Sequence, residues 1–506
     1  MKTNFENIHI AAKILIDFHS SYFNAKDVLS SEAKENRFHN LVVLFQYFEN
    51  EVNLNVANIN IFLRNNARAK DKSQNVKARE LRHSLIALKH LITFLIAKCS
   101  LAEDLNYSKV LLSGIPADWE RAYAAKLLSF IVDNSVYIFC RNNNIDKLLT
   151  DECTKVIEKF TNCFNDFNLI KLISKQKSKN LQCLLYLLVR TVDNILSLLQ
   201  VDFNEDERKV AHYTSLFGFN KIICEKSPLR LASGDLMNDP SEGKLLYEYF
   251  NIQNELSDDT FLTSFTFNHN SLNQFRLYGC TDNKEGTGIS LVVDGNFFSS
   301  ERNGFISSEI VGDLDIFKVS IDKNSELLPL FRCVYFDKNT GFIQVAKRSR
   351  ASFYQEYYSE LNLDEIHSKY EQYESNILNL ESNLYKQIQN LKDLISLTRK
   401  YFSKNKDNEE LIKATLRPLC FLFKHIAFQE EQECRIFYIT EISNPILQED
   451  QSSMMVFFPY KTDIKASLKN VYLGPALQNK FTFVRKSVAF NKGVKVKVCD
   501  SPFVPK

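Results

Sequence analysis

The sequence predicts an α+β protein: an all-α N-terminal domain, then a mixed α/β domain interrupted by a long helical insertion. Three observations carry this reading. Glycine and proline, which punctuate helices, occur only at Gly114 and Pro116 in the first 217 residues. From Gly218 onward the texture changes, with eight glycines between Gly234 and Gly312 and short β-rich runs among them. A second stretch free of Gly and Pro then runs from Phe342 to Arg417. The boundaries that follow are 1–205 for the helical domain, 206–341 with 415–506 for the α/β domain, and 342–414 for the insertion.

Within the first domain, Leu85, Leu88, Leu91 and Leu95 recur at helical intervals, as do Leu184, Leu188, Val192, Ile195 and Leu199. Gly114 and Pro116 flank Ile115 and mark a single break before Trp119. No fixed period of repeated Gly, Ala and Pro positions is present, so a bundle is expected rather than a repeat array. In the second domain, strands are expected at Phe261–Phe267, Gly288–Asp294, Glu433–Thr440, Met454–Tyr460, Leu468–Leu473 and Val494–Cys499. The insertion holds Tyr370, Tyr373, Ile377, Leu380, Leu384, Ile388, Leu391 and Leu394 at near-heptad spacing. As one helix, Asp364–Tyr401 would reach roughly 55 Å at about 1.5 Å per residue, a length that suggests either a folded-back hairpin or docking on the N-terminal helices.

Composition excludes several classes. With 63 Lys and Arg against 61 Asp and Glu, a net charge of +2 and 45% hydrophobic residues, the 506-residue chain is globular, neither disordered nor a basic nucleic-acid coat. The near-neutral charge also disfavours nucleic acid as a partner. Met1–Ile10 lacks the basic and apolar pattern of a cleavable signal peptide. The most apolar stretches are far shorter than the roughly 20 residues of a membrane span. A soluble protein is expected, in a bacterial cytoplasm or delivered into a host cell. The 11 cysteines contain no C-x-x-C pair and the 9 histidines are dispersed, so no metal site is expected.

The residues able to carry chemistry cluster in the second domain. His212-Tyr213-Thr214-Ser215 reads locally as a cap for the helix that follows, and Asn238-Asp239-Pro240 as a turn. Gly286 and Gly288 suit a hairpin or bulge, since no helix follows them as in a dinucleotide loop. In Glu431-x-Glu433-x-Arg435, strand alternation would point all three charged side chains to one face. That is costly unless they meet water, one another or a polar ligand.

Taken in order, these pieces resemble a widespread bacterial domain of formerly unassigned function that looks like a divergent ADP-ribosyltransferase. The resemblance covers about 207–340 and 415–503. It rests on His212-Tyr213-Thr214-Ser215, Leu229-Arg230-Leu231 leading to Asn238-Asp239-Pro240, Ser264-Phe265-Thr266, Phe275-Arg276-Leu277-Tyr278-Gly279, Glu431-x-Glu433-x-Arg435 and Val471-Tyr472-Leu473-Gly474-Pro475. Phe275 stands where a tryptophan is common, and the insertion interrupts the domain before the glutamates.

The resemblance implies an ADP-ribosyltransferase-like split β-sandwich that opens around NAD as a substrate. His212, Tyr278 and Glu433, or alternatively Arg230, Ser264 and Glu433, would form its working set. Glu433 would bond the ribose 2′-hydroxyl and oppose the positive charge that develops as the glycosidic bond breaks. Arg230, Arg276 or Arg435 would hold the pyrophosphate. Tyr213 or Tyr278 would stack on the nicotinamide, with Thr214 and Thr266 beside them in the cofactor site. Glu431 would orient and deprotonate a guanidinium acceptor. The implied activity is mono-ADP-ribosylation of a protein side chain, arginine favoured, by an effector, toxin or defence protein. A non-enzymatic binding module on the same fold, transfer to nucleic acid and NAD hydrolysis stand as alternatives. The helical parts would select a target protein, which for a delivered effector is a host protein.

Overall fold

The computed structural model describes residues 56–61, 63–65, 79, 82, 173, 179–237, 239, 241–253, 260–278, 285–299, 327–401, 406–491 and 493–501. The chain divides into two compact units. One comprises Met1–Cys163, Ser174–Leu188 and Asn390–Lys404; the other comprises Phe164–Ile173, Val189–Gln389 and Asn405–Lys506. The stripe from Leu85 to Leu95 and the break before Trp119 lie outside the described residues. Helix α1 (Lys179–Leu199) carries the second stripe, and Leu184, Leu188, Val192, Ile195 and Leu199 are all fully buried. Among the described residues no helix is long and apolar enough to cross a membrane.

The second unit is α+β, with strands at the six expected runs and further strands that were not expected, one of them inside the segment read as helical. In chain order they are β1 (Lys209–Ser215), β2 (Leu229–Ser233), β3 (Thr260–Thr266), β4 (Gly288–Asp294), β5 (Phe331–Arg332), β6 (Val334–Phe336), β7 (Ile343–Val345), β8 (Phe423–His425), β9 (Glu433–Ile439), β10 (Gln448–Asp450), β11 (Met455–Tyr460), β12 (Leu468–Leu473) and β13 (Lys495–Val498). The short helices α2 (Leu216–Phe219), α3 (Leu245–Tyr249) and α4 (Leu272–Tyr278) separate the first four strands. The segment read as the insertion opens on strand β7 and continues as α5 (Arg350–Tyr357), α6 (Leu363–Tyr401) and α7 (Lys406–Cys420). Helix α6 is one unbroken rod of 39 residues. Its stripe is buried at Tyr370, Tyr373, Ile377, Leu384, Ile388, Leu391 and Leu394, and half-buried at Leu380.

The large sheet runs β10-β11-β2-β3-β1-β4-β12-β13, with β9 paired to β3 and β5; a second sheet runs β7-β6-β8. The large sheet forks at β3. Strand β9 follows one edge of β3 from Thr260 to Thr266. The opposite edge is shared, β2 taking Phe261 and Leu262 and β1 taking Thr266. An aromatic core lies behind the fork: Phe265 meets Phe298 edge to face at 5.0 Å between centroids, Phe297 meets Phe298 at 5.2 Å, and Phe297 meets Tyr460 at 5.1 Å. Tyr460 anchors this group by donating its hydroxyl to the Phe297 carbonyl at 2.6 Å.

The Leu473-Gly474-Pro475 motif closes the far side of β4. The Gly474 N–H donates to the Gly288 carbonyl at 2.8 Å and the Ala476 N–H to that of Gly286 at 3.1 Å. A Cβ on Gly474 would stand 2.2 Å from the Gly286 oxygen, which is backbone and cannot rotate aside. Gly474→Ala is therefore expected to destabilise the fold by about 1–3 kcal/mol, the usual cost of overpacking. Thermal unfolding checks this, and an unchanged Tm would show that the turn has room after all.

Candidate functional site

Register and alternation build the site. Opposite residues of an antiparallel pair share a face, and Ser264 faces Arg435 while Thr266 faces Glu433 across β3 and β9. These four side chains therefore stand together. The smaller sheet adds two more, because Tyr335 on β6 is register partner to Lys424 on β8. The Glu433 N–H donates to the Tyr335 hydroxyl at 2.7 Å. The Ser264 hydroxyl donates to Glu433 Oε1, diagonally across the ladder. Around this group lies a cavity of about 300 Å³, reached also by Ala211 and His212 of β1, Arg230 and Ala232 of β2, Tyr278 of α4, and Asp239 and Glu242 from the loop after β2.

Glu431 reaches the site by a route that alternation does not describe. Strand β9 begins at Glu433, and Glu431 ends a 3-10 turn. Gln432 between them has φ 49 and ψ 47, the left-handed region, which is uncommon for a residue other than glycine. The expected single strand through Glu431, Glu433 and Arg435 thus holds only from Glu433 on. The turn nonetheless brings both glutamates to one ammonium: Lys424 Nζ donates to Glu431 Oε2 at 2.5 Å and to Glu433 Oε2 at 2.6 Å.

Among the described residues the cluster has three carboxylates and two cations. Lys424 also lies 3.2 Å from Glu242. Arg435 donates from Nε to Glu433 Oε1 at 2.7 Å, and one terminal nitrogen lies 2.9 Å from Glu242 Oε2. Its other terminal nitrogen donates to the Phe421 carbonyl at 2.6 Å. Arg435 is 1% exposed, Lys424 3%, Glu242 and Glu433 5%, and Glu431 8%, so water screens little of this. Burial alone would push the Glu433 carboxyl upward, but Arg435 and Lys424 outweigh it and hold the group well below the carboxylate range. Glu431 moves the other way. Burial dominates there, with the Glu433 charge adding to it and Lys424 opposing, so its carboxyl is raised. The Lys424 ammonium is held above its ordinary range because Glu433, Glu242 and Glu431 together overcome the desolvation that opposes it.

Of the residues expected to work together, His212, Tyr213, Arg230, Ser264, Thr266, Tyr278, Glu431, Glu433 and Arg435 line the cavity. His212 Nδ1 lies 3.0 Å from the Ser264 carbonyl, which the fork leaves between β2 and β1. Burial lowers its pKa, so the ring is neutral, with Nδ1–H as the donor. Tyr278 donates to Glu431 Oε1 at 3.0 Å. The Thr266 hydroxyl donates to the Glu431 carbonyl at 2.7 Å and thereby holds the turn. Tyr213 uses its hydroxyl on the Asn268 carbonyl at 2.7 Å and packs edge-on against the buried Phe275 at 5.0 Å. Arg230 is exposed, stacks 4.4 Å over Phe457 and pairs with Asp450.

Two expected residues stand apart. Thr214 is off the cavity wall, at the end of β1 where Ser215 caps α2. Arg276 is on the exposed side of α4 and pairs with Glu285 at 2.7 Å. Neither proposed triad is a set of mutual contacts: Ser264 touches Glu433, whereas Tyr278 touches Glu431 and Arg230 touches Asp450.

The sequence reading missed Lys424, Glu242 and Tyr335. Glu242 follows the Asn238-Asp239-Pro240 turn closely enough to have been grouped with it; of that turn only Asp239 is among the described residues. Lys424 and Tyr335 sit in short apolar runs with no local signature. No protein-family model, curated protein or solved structure matches this chain.

Lys424→Met removes the cation shared by three carboxylates and is expected to cost about 3–5 kcal/mol, as for other broken buried pairs. The pH dependence follows in sign. The Glu433 contribution is present above its unfolded value of 4.5 and is lost as pH falls through the depressed folded value. Glu431, raised by burial, regains stability over the acid range. Removing Lys424 shifts both carboxyls upward, so the gap in urea midpoint between wild type and variant should be widest near neutrality and narrow on acidification. A gap that is constant with pH would mean that Lys424 is not neutralising these groups.

Proposed function

We propose that the chain is an NAD-dependent mono-ADP-ribosyltransferase that modifies a protein side chain, with arginine the favoured acceptor. The observation that carries the reading is the Ser264–Glu433 contact at the fork of the sheet, with Glu431 beside it on the same lysine. An ionised, buried carboxylate is what a developing oxocarbenium charge requires. A second carboxyl whose pKa is raised by burial is a stronger base than an ordinary glutamate.

In this reading the bond between the ribose C1′ and the nicotinamide nitrogen breaks, and its electron pair neutralises the pyridinium. Glu433 holds the ribose 2′-hydroxyl and opposes the positive charge on the sugar. A guanidinium nitrogen of the acceptor then bonds to C1′ as its proton passes to Glu431. The neutral His212 and the Tyr278 hydroxyl border the same space and orient the substrate.

One observation favours a second reading. Glu433 Oε1 already accepts from Ser264 and Arg435, and Oε2 from Lys424 and Arg435. A carboxylate so fully engaged is also what a rigid binding module would use to hold its two sheets together. For catalysis, the ribose hydroxyl has to displace the Ser264 hydroxyl.

Incubating the protein with labelled NAD and cell lysate separates the readings. The wild type should place label on protein and release nicotinamide, and Glu433→Gln should lower the rate at least about 100-fold. NAD binding without nicotinamide release would select the binding module. Nicotinamide release without transfer would select hydrolysis, and label removed by nuclease would select nucleic acid. No binding at all would end the NAD reading.

A further inference from the structure

Between Lys461 and Ser501 the sequence holds nine Lys and Arg against two Asp, a local excess that the near-neutral whole conceals. Helix α8 (Ile464–Ser467), a 3-10 turn (Pro475–Lys480), helix α9 (Phe481–Ser487) and strand β13 lie in this stretch. Helix α9 packs on both the 3-10 turn and β13, and β13 ends the large sheet. Both aspartates are engaged: Asp463 caps α8 by accepting from the Lys465 N–H at 3.0 Å, and Asp500 accepts from the Asn270 side-chain amide at 3.0 Å. Lys469 pairs with Asp294. Among the described residues, Lys480, Arg485, Lys486, Lys495 and Lys497 are exposed and enter no ion pair.

Two phenylalanines stand among these cations, Phe483 at 48% and Phe490 at 51% exposure. Phe483, Lys486 and Phe490 have the i, i+3, i+7 spacing of one helical face. The chain continues that turn past α9, where the Val488 N–H donates to the Val484 carbonyl at 3.2 Å. Val484 and Val488 form the buried side. Lys465 of α8 joins the face with its ammonium 5.1 Å from the centre of the Phe490 ring. Lysines on an edge strand guard it against pairing with another chain, which accounts for Lys495 and Lys497. It does not account for two phenyl rings held in water between ammonium groups.

We propose that this face binds an anionic lipid surface, with the cations meeting the headgroups and the two phenyl rings entering the boundary of the acyl chains. Charge complementarity sets the sign of the partner. Lipid is favoured over nucleic acid because the cations, Arg485 apart, are lysines, point charges suited to a diffuse layer of headgroups, whereas the planar fork of arginine is the better reader of phosphates and bases. Phenylalanine also has no polar handle, so its exposed ring is best satisfied by hydrocarbon.

Co-sedimentation of the full chain with vesicles tests this. Phosphatidylcholine with about 30% phosphatidylserine should bind the wild type about tenfold or more tightly than phosphatidylcholine alone, and the advantage should shrink as salt rises from about 0.1 M to about 0.5 M. Reversing three charges together, Lys486→Glu, Lys495→Glu and Lys497→Glu, should weaken binding to the anionic vesicles about 100-fold or more. The pair Phe483→Ser and Phe490→Ser should weaken it about tenfold while leaving its salt dependence in place. All five positions are exposed, so each variant should melt within about 2 °C of the wild type. Lys386→Glu, at an exposed position on α6, should leave binding unchanged. Equal binding to the two kinds of vesicle would overturn the proposal, as would anionic binding that both patch variants retain, or a loss at Lys386→Glu as large as that of the triple reversal. A labelled single-stranded RNA that the wild type binds and the triple reversal loses, with no vesicle binding, would overturn it too and give the face to nucleic acid. None of these readouts involves NAD, so they stand apart from the transfer assay.

Discussion

Three glutamates, one lysine and one arginine share a single enclosed space between the two sheets, and the order of the second unit depends on their mutual neutralisation. Glu433 comes from the large sheet and Lys424 from the small one, so the charges that must pair also define how the sheets meet. Glu242 arrives from the loop after β2 and Glu431 from the turn before β9. Removing a buried charge from such a group leaves its partners uncompensated at several kcal/mol, which is why the group behaves as a unit. The same pairing keeps Glu433 ionised while burial raises Glu431. Two carboxyls on one lysine are thereby pushed in opposite directions, the condition in which adjacent acids take different chemical roles.

The insertion reaches this cluster through its entry strand. Just before α5, the Lys347 N–H donates to Gln432 Oε1 at 2.6 Å, and the Gln432 side-chain amide donates to the Gln429 carbonyl at 2.6 Å. The left-handed residue between the glutamates is thus held from two sides. A second buried group secures the same segment: Glu207 pairs with Arg332 and accepts from Tyr373 of α6 at 2.7 Å, while the Tyr373 hydroxyl accepts from the Arg348 N–H at 2.8 Å. Phe353 of α5 stacks on Tyr373 at 5.6 Å between centroids. The base of the long helix is therefore packed against the residues that lead into the carboxylate pair.

Much of the local structure was legible from periodicity alone. Gly288–Asp294 and Leu468–Leu473 are strands with the expected limits, and the Tyr370 to Leu394 stripe is the buried face of one helix. The choice between a rod and a hairpin was not legible, because a hairpin needs a break and an unbroken helix needs only the absence of one. The site was readable where strand alternation governs it, at Glu433 with Arg435 and at Ser264 with Thr266. It was misread at Glu431, where a left-handed residue replaced the strand, and unread at Lys424 and Tyr335, which carry no motif.

The sequence by itself determined the α+β class, the faces of the strands and long helices, and which charged residues needed partners. Those properties follow from spacing along the chain, since a side chain's face is set by its own backbone period. Tertiary structure decided who the partners are. It joined Lys424 to glutamates drawn from two separate segments, tied Arg230 to Asp450, turned Arg276 away to Glu285, and, among the described residues, left one oxygen of Asp239 without a donor. Such pairings depend on registers between distant strands and on the fork at β3, which no local spacing encodes.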